Sequence, residues 1–188
     1  MNQATMAGQR SWRVGRWRRG AYTTVAGFFA ILILGLIAHF TNRPYMFPSL
    51  GPTAIDVFFL PLADDACPRN VIFGHGIGAL CGYGALWLTG LAHAPPTFDV
   101  GVSGARVVAA ALALALTAGV MIWVRREHMP AGATTLIVAL GIMPSAADVA
   151  ILMGGVVALT YVAWLINRLF GISYPLWKPA TLEPERES

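Results

Sequence analysis

Charge is scarce in this chain of 188 residues, since only 12% are Asp, Glu, Lys or Arg while 56% are hydrophobic. Soluble domains carry about 25% charged residues, so a surface covered by water is excluded. With a mean hydropathy of +0.62, the composition predicts an integral membrane protein with room for one membrane domain and no sizeable soluble one.

Cysteines and recognisable catalytic motifs are also few. The two cysteines, Cys67 and Cys81, lack a C-x-x-C spacing, which excludes a disulfide framework and a cysteine-based metal site. A zinc motif, a G-x-S-x-G motif and a catalytic dyad at defined spacing are missing as well. We therefore expect a protein that is not an enzyme and needs no cofactor, and an intramembrane enzyme ranks third among the function hypotheses.

Positive charge gathers at the ends of apolar runs. The first 20 residues are polar and contain five arginines, which fits an RNA-binding arm, a signal peptide or a cytoplasmic juxtamembrane anchor. The apolar run 21–40 exceeds an ordinary signal-peptide core and ends without a small-residue cleavage site. We favour the anchor and expect no nucleic-acid partner, because these arginines carry topology information.

Four apolar runs are long enough to cross about 30 Å of hydrocarbon at about 1.5 Å per residue. They are residues 21–40, 71–91, 107–124 and 149–170. Two shorter segments, 47–62 and 130–143, lie inside the two halves, and each is either a re-entrant loop or a short crossing.

Arginine placement favours two short crossings, and therefore six crossings in all. The N-terminal arginines, Arg69, the Arg125–Arg126 pair and the tail then share one side, while loop 92–104, which has no Lys or Arg, lies on the other. Three crossings per half make the halves an inverted-topology repeat. Each repeat would consist of a long helix, a broken short helix and a second long helix.

The predicted fold class is therefore an all-α polytopic membrane protein with two inverted repeats of three segments. The expected parts are a cytoplasmic basic arm (1–20), repeat 1 (21–91), a connecting loop (92–104), repeat 2 (105–170) and a cytoplasmic tail (171–188). We expect the protein in a bacterial inner membrane, with both termini in the cytoplasm.

The two short segments carry the same small-residue motif. Residues 49–55 read SLGPTAI and residues 130–136 read PAGATTL, which align as Gly-x-Thr-x-aliphatic. Paired interrupted segments in two halves point to a transport site. Helices starting near Thr53 and Thr134 would aim their N-termini, with unpaired N–H groups, at one midplane point and form an anion site.

The candidate anion ligands are hydroxyls that donate and small residues that let the backbone approach. They are Ser49, Gly51, Thr53, Gly132, Ala133, Thr134 and Thr135. The alternative is that small residues occur here because they pack membrane helices closely. That packing role is also predicted for the glycines that recur every four residues at positions 74, 78 and 82.

Ionisable residues within membrane segments are functional candidates. Asp56, Arg69, His75 and His128 are predicted to be gating or proton-linked, with His75 favoured over His128 because it lies deeper on a glycine-rich helix. The structural alternatives are a buried hydrogen-bonded carboxyl for Asp56, hydrogen-bonded histidines, and an interfacial anchor for Arg69.

Three blocks of the chain resemble the HPP family of integral membrane proteins. Residues 128–136 read HMPAGATTL against the family's HPPAGATAL, and residues 67–75 read CPRNVIFGH against QPRNVxGGH. Residues 47–54, FPSLGPTA, are similar to the family's small-residue block after the first span. The blocks follow the family's order, and the resemblance covers about residues 21–177.

The resemblance implies a small-anion substrate, since family members in plastids and cyanobacteria are implicated in nitrite transport. It also implies four transmembrane helices, which agrees with six crossings only if hydropathy misses the two short segments. The chain departs from the family pattern at Pro52, Cys67, Phe73 and Met129. Met129 replaces the first proline of the name-giving motif, so we expect a changed kink at the cavity mouth and leave the substrate preference open.

We thus expect a membrane transporter or channel for nitrite or a similar small monovalent anion, bound at the midplane between two half-helix N-termini. Its partners would be this small inorganic anion and the lipid bilayer, and homo-oligomerisation is left open. The rival hypothesis is a non-transporting membrane subunit that packs against a partner membrane protein through its glycine faces.

Overall fold

A computed structural model describes residues 15–143 and 145–179, and within these ranges all regular secondary structure is helical. Residues 1–14 of the predicted arm, Pro144 and residues 180–188 of the predicted tail lie outside the described part. The seven helices of that part are α1 (Arg16–Thr41), α2 (Leu50–Phe59), α3 (Pro68–Leu88), α4 (Thr97–Val100), α5 (Gly104–Val124), α6 (Ala131–Ala139) and α7 (Ala146–Leu169).

Four of these helices, α1, α3, α5 and α7, are long and apolar enough to cross a membrane, which confirms the predicted all-α polytopic fold. Each begins a few residues before its predicted apolar run, and in α5 and α7 a serine side chain caps the helix start. Pro68 lies in the first turn of α3, where proline is tolerated. Ser145 and Asp148 form a capping box at the start of α7.

The central helices are α3 and α7, and the outer ones are α1 and α5. In the most apolar stretch of each helix, 44% of the residues are buried in α3 and in α7, against 17% in α1 and 22% in α5. Large apolar side chains such as Phe28, Leu32, Val107 and Ile122 are exposed on the outer helices. Such contiguous exposed apolar surface is what helices facing lipid require.

The short helices α2 and α6 start at Leu50 and Ala131, slightly earlier than the motif predicts. At about 1.5 Å per residue, each is about half as long as the hydrocarbon core is thick. The repeated motif occupies the same register in both, with glycine second and threonine fourth. The two short helices are thus equivalent in position and in motif.

Each short helix returns to the level at which the preceding long helix begins. The Oγ1 of Thr23, near the start of α1, donates to the carbonyl oxygen of Phe58, near the end of α2, at 3.3 Å. Nη1 of Arg106, near the start of α5, donates to the carbonyl oxygen of Ala139, at the end of α6, at 3.2 Å. The segments 42–59 and 125–139 therefore run back along α1 and α5.

The start of α3 lies beside the chain that follows α7. The amide of Arg69 donates to the carbonyl oxygen of Trp177 at 3.0 Å, and Oη of Tyr174 donates to that of Ala66 at 2.6 Å. Near the other end of α3, Oη of Tyr83 donates to the carbonyl oxygen of Met143 at 3.0 Å. One end of α3 therefore lies near the end of α7, and its other end lies near the start of α7. An inverted repeat requires this antiparallel arrangement, but the inverted repeat itself stays a prediction.

The two halves interleave, because the third segment of each packs on the first two of the other. Thus α3 contacts α5 and α6, while α7 contacts α1 and α2. The close approach of α3 to α6 depends on glycine. A Cβ at Gly78 would lie 2.8 Å from the carbonyl oxygen of Ala131, and one at Gly82 would lie 2.8 Å from Cβ of Val138. The packing role predicted for this glycine stripe is confirmed.

Candidate functional site

His75 of α3 lies between the two threonines of the repeated motif. Its Nε2 is 2.9 Å from Oγ1 of Thr53 on α2, and its Nδ1 is 2.7 Å from Oγ1 of Thr134 on α6. All three side chains are fully buried. The imidazole therefore joins the N-terminal ends of the two short helices, about 10 Å along α3 from its start.

His128, in the loop before α6, completes the group. Its Nε2 is 3.3 Å from Oγ1 of Thr53, and its Nδ1 is 2.9 Å from the backbone oxygen of Asp65. The centroids of the two imidazole rings are 5.1 Å apart, and the His128 side chain is fully buried. Thr53 is thus shared by both rings. We refer to Thr53, His75, His128 and Thr134 as the histidine–threonine cluster.

Two polar groups beside this cluster lack hydrogen-bond partners among the described residues. Oδ2 of Asp56, one turn along α2 from Thr53, is 3.6 Å from Nδ1 of His128, and the Asp56 side chain is 18% exposed. Oγ of Ser49, which precedes α2, is buried without a hydrogen-bond partner in the same part of the chain. Since buried polar atoms are nearly always paired, the surroundings of the cluster retain capacity for additional hydrogen bonds.

A glycine sets the distance between the two histidine-bearing segments. A Cβ at Gly74 would lie 2.7 Å from Cβ of His128, closer than real side chains approach. Any larger residue would push the loop before α6 away from α3 and separate His128 from Thr53. The glycine stripe therefore fixes the geometry of the cluster as well as the packing of the helices.

The first-turn amides of both short helices are already bonded within the chain. The first three amides of α6 and the first two of α2 donate to carbonyl oxygens three residues earlier. The third residue of α2 is Pro52, which has no N–H group. The unpaired amides expected at these N-termini are thus engaged in this conformation, and the groups that meet at the centre are hydroxyls and imidazoles.

The other predicted anion ligands surround the cluster rather than joining it. A Cβ at Gly51 would meet open space, and one at Gly132 would contact a leucine of α5 at 3.4 Å. Ala133 is half-buried. Thr135 is turned toward α5, where its Oγ1 lies 2.9 Å from Oγ1 of Thr117.

Arg69 is also separate from the cluster. Its Nε donates to Oδ1 of the neighbouring Asn70 at 3.3 Å, and its amide bonds to the segment after α7. Of the four residues predicted to be gating or proton-linked, the structure brings three together, namely Asp56, His75 and His128.

Some participants were not predicted from the sequence. Arg106 is 3% exposed, and its guanidinium donates to the carbonyl oxygens of Ala139 at 3.2 Å and Pro95 at 2.8 Å. It thus places a cation at the C-terminal end of α6, where the helix dipole favours one. Arg106 directly precedes the apolar run 107–124, so its position predicts an arginine at the membrane interface and not a contact with α6. The backbone oxygen of Asp65 has no sequence signal at all.

The chemistry open to the cluster is hydrogen bonding and proton exchange. Imidazole and hydroxyl groups both donate and accept, and histidine changes charge near neutral pH. In residues 15–143 and 145–179, no group of three or more His, Cys, Asp or Glu side chains is arranged to hold a metal ion.

Comparison with known proteins agrees with the fold. A curated transmembrane protein of Dictyostelium discoideum is 31% identical over 126 residues, which are 64% of this chain and 40% of that relative. This chain therefore spans less than half of the relative's length. No solved structure matches the chain. The family model for the transmembrane region of HPP proteins matches residues 13–175, so the chain belongs to the HPP family of integral membrane proteins.

Proposed function

We propose that the protein is a transporter that carries nitrite or a similar small monovalent anion across the membrane. The observation that carries this proposal is the histidine–threonine cluster, whose four side chains are all fully buried where the two short helices meet. Burying polar groups costs free energy that hydrogen bonds only partly recover. A helix bundle that merely spans the membrane has no need of such a group.

The helix ends and the side chains at the cluster favour an anion over a cation. Two helix N-termini each bring about half a positive charge, and the hydroxyls and imidazoles can donate hydrogen bonds. Because the amides are engaged within the chain, an anion would bind by replacing the bonds between His75 and the two threonines. These hydrogen-bond donors suit a small anion such as nitrite. The family resemblance supports the same substrate.

The rival function is a non-transporting subunit that docks on a partner through its glycine faces. That hypothesis requires glycine faces that are free to contact a partner. In the structure, Gly74, Gly78 and Gly82 all pack against α6 or the loop before it. The glycine stripe is thus used within the chain and is not free for a partner. No cofactor and no catalytic role form part of the proposal.

We further propose six crossings in an inner membrane, with the end where α1 begins in the cytoplasm. Several arginines gather at that end. Arg19 lies over the ring of Phe59, near the end of α2, and Arg126 lies over the ring of Phe73, near the start of α3. The positive-inside rule assigns this end to the cytoplasm. The return of α2 and α6 along α1 and α5 supports two short crossings.

Uptake by proteoliposomes tests the proposed function. Vesicles containing only the purified protein should accumulate labelled nitrite faster than protein-free vesicles at the same pH, which report leakage of nitrous acid. Unlabelled nitrite should compete, while sulfate, a divalent anion, should not. A non-transporting subunit would give vesicles indistinguishable from the protein-free ones for nitrite and for every other monovalent anion tested.

A further inference from the structure

The hydrogen bonds of the cluster fix where its protons lie. The Asp65 carbonyl only accepts, so Nδ1 of His128 carries a hydrogen. When His128 is neutral, its bare Nε2 must accept from Thr53, whose only hydrogen is then used. Nε2 of His75 therefore donates to Thr53, and Nδ1 of His75 accepts from Thr134. With both rings neutral, no other assignment pairs all four ring nitrogens.

Thr53 also provides for one additional proton. Its Oγ1 lies 3.1 Å from the carbonyl oxygen of Ser49. When Nε2 of His128 gains a proton, the hydroxyl hydrogen of Thr53 turns to Ser49, and its oxygen accepts from both rings through its two lone pairs. One hydrogen rotates and every ring nitrogen stays bonded. The cluster is therefore built for two protonation states.

Acidic groups lie close to His128. Oδ2 of Asp56 is 3.6 Å from Nδ1 of His128. Burial raises the pKa of the Asp65 carboxyl, which also interacts with nearby acids. Asp65 interacts with Asp56, Asp64 and Glu127, and Asp56 also interacts with Tyr174. Cys67 interacts with Tyr174, Asp64 and Arg69.

The other packed elements add no compensating charge in their recorded contacts. From α5, Thr117 bonds to Thr135, and α7 packs glycines on the segment before α2. Arg69 bonds to Asn70, and Arg106 bonds at the far end of α6. Arg126, two residues before His128, lies over the ring of Phe73 and donates to the carbonyl oxygen of Arg125. Since these arginines contact groups outside the cluster, positive charge within the cluster itself comes from protonation of an imidazole.

The charge of the Asp56–His128 pair decides whether an anion can enter. With Asp56 ionised and His128 neutral, the pair is negative and repels an anion in a medium that screens charge poorly. One proton on the pair makes it neutral, and Thr53 offers that proton an acceptor when it is carried by Nε2 of His128. The neutral pair leaves the two helix N-termini to attract the anion. Binding of the anion and binding of the proton then favour one another.

We propose that anion binding requires a proton on Nε2 of His128, so that the protein carries one proton with each anion. Thr53 is the switch that accommodates this proton, and Asp56 is the charge that makes it necessary. The inference rests on the proposed function and adds to it a coupled ion with a defined site.

Proton uptake by the purified full-length protein tests this coupling. Sodium nitrite is added to the protein in weakly buffered detergent solution, while an indicator dye reports pH and calorimetry reports binding. About one proton should be taken up per nitrite bound, and the dissociation constant should fall about tenfold for each unit that the pH is lowered. The exposed His93 supplies a matched control, since His93→Asn should behave like the wild type.

Two variants separate the roles of the pair. Asp56→Asn should still bind nitrite, but with no proton uptake and no dependence of affinity on pH, because the repulsion is gone. His128→Asn should bind weakly and take up no proton, because Asp56 stays uncompensated. Each variant is checked for a single monodisperse species and a cooperative melting transition. If one variant proves unfolded, the test of the coupling rests on the other variant.

The possible results are distinguishable. Nitrite bound by the wild type without proton uptake, or proton uptake that persists in both variants, overturns the coupling and leaves the transporter proposal standing. Failure of the wild type to bind or transport nitrite or any other monovalent anion overturns the proposed function, and the coupling falls with it.

Discussion

The face that α3 presents to the loop before α6 and the face that α7 presents to the segment before α2 differ in polarity, although both rely on glycine. A Cβ at Gly74 of α3 would lie 2.7 Å from Cβ of His128, and one at Gly155 of α7 would lie 2.7 Å from the carbonyl oxygen of Tyr45. The two faces therefore pack equally closely. The first brings two fully buried histidines into the interior, whereas the second packs on the half-buried Tyr45.

The repeat gives each of these side chains an apolar counterpart. The register that aligns Thr53 with Thr134 also aligns Gly74 with Gly155. In that register His75, His128 and Asp56 correspond to Val156, Phe47 and Ile137. These three apolar residues belong to or pack against the hydrophobic core. A fold that accepts apolar residues at equivalent positions does not need the titratable ones for packing, which supports the functional role proposed for them.

Leucine at the contact glycines should give the largest effect, in both halves alike. Gly78→Leu and Gly155→Leu place side chains against backbone oxygens 2.8 and 2.7 Å from the new Cβ. Overpacking costs about 1–3 kcal/mol or more, and backbone cannot yield cheaply, so we expect little folded protein. Gly84→Leu on α3 is the matched control, because a Cβ there meets nothing within 4 Å.

Size-exclusion chromatography and thermal unfolding of the purified variants measure this effect. If Gly78→Leu folded well and Gly155→Leu did not, the two faces would not be equally closely packed.

The two threonines of the repeat should differ in importance despite their equal register. Thr53→Val leaves a nitrogen of each ring without its partner, whereas Thr134→Val affects only His75. At about 1–3 kcal/mol per buried unpaired group, Thr53→Val should destabilise the protein more and slow nitrite uptake more.

Thr160→Val is the control for these variants, because the Thr160 hydroxyl bonds to a carbonyl oxygen of its own helix. Unfolding temperatures and initial uptake rates should rank the proteins as Thr160→Val, Thr134→Val and Thr53→Val, from mildest to most severe. The reverse order for the last two would show that the shared hydroxyl of Thr53 is not the centre of the cluster.

Labelling of single cysteines tests the proposed inversion of the halves with the mildest substitutions. In a background of Cys67→Ala and Cys81→Ala, Arg69→Cys and Arg125→Cys should react with an impermeant thiol reagent only from the cytoplasmic side. Asp99→Cys should react only from the other side. Arg69→Cys and Asp99→Cys reacting from the same side would exclude six crossings.

The four long apolar helices and the shared motif of the two short ones could be predicted from the sequence, because apolar length and small-residue motifs are local signals. The same holds for the glycine stripe, whose spacing of four residues places Gly74, Gly78 and Gly82 on one helix face. The starts of the short helices were placed slightly late, since Leu50 and Ala131 lie outside the threonine-centred part of the motif.

The hydrogen-bond partners within the site could not be predicted from the sequence. Thr53 and Thr134 were expected to offer hydroxyls to an anion, and His75 was expected nearby, but its insertion between them depends on how α3 crosses α2 and α6. The bond from His128 to the backbone oxygen of Asp65 is equally non-local. Such contacts arise from tertiary packing, which no single segment encodes.

Nitrite uptake by proteoliposomes containing His75→Val or Val156→Ala tests the central claim most directly. His75→Val gives the polar face the residue found at the equivalent position of the apolar one, and Val156→Ala perturbs the apolar face alone. Both proteins must first show a cooperative melting transition. We expect uptake to fall to the protein-free level in His75→Val and to persist in Val156→Ala. Uptake at the wild-type rate by folded His75→Val protein would contradict a transport site at the histidine–threonine cluster.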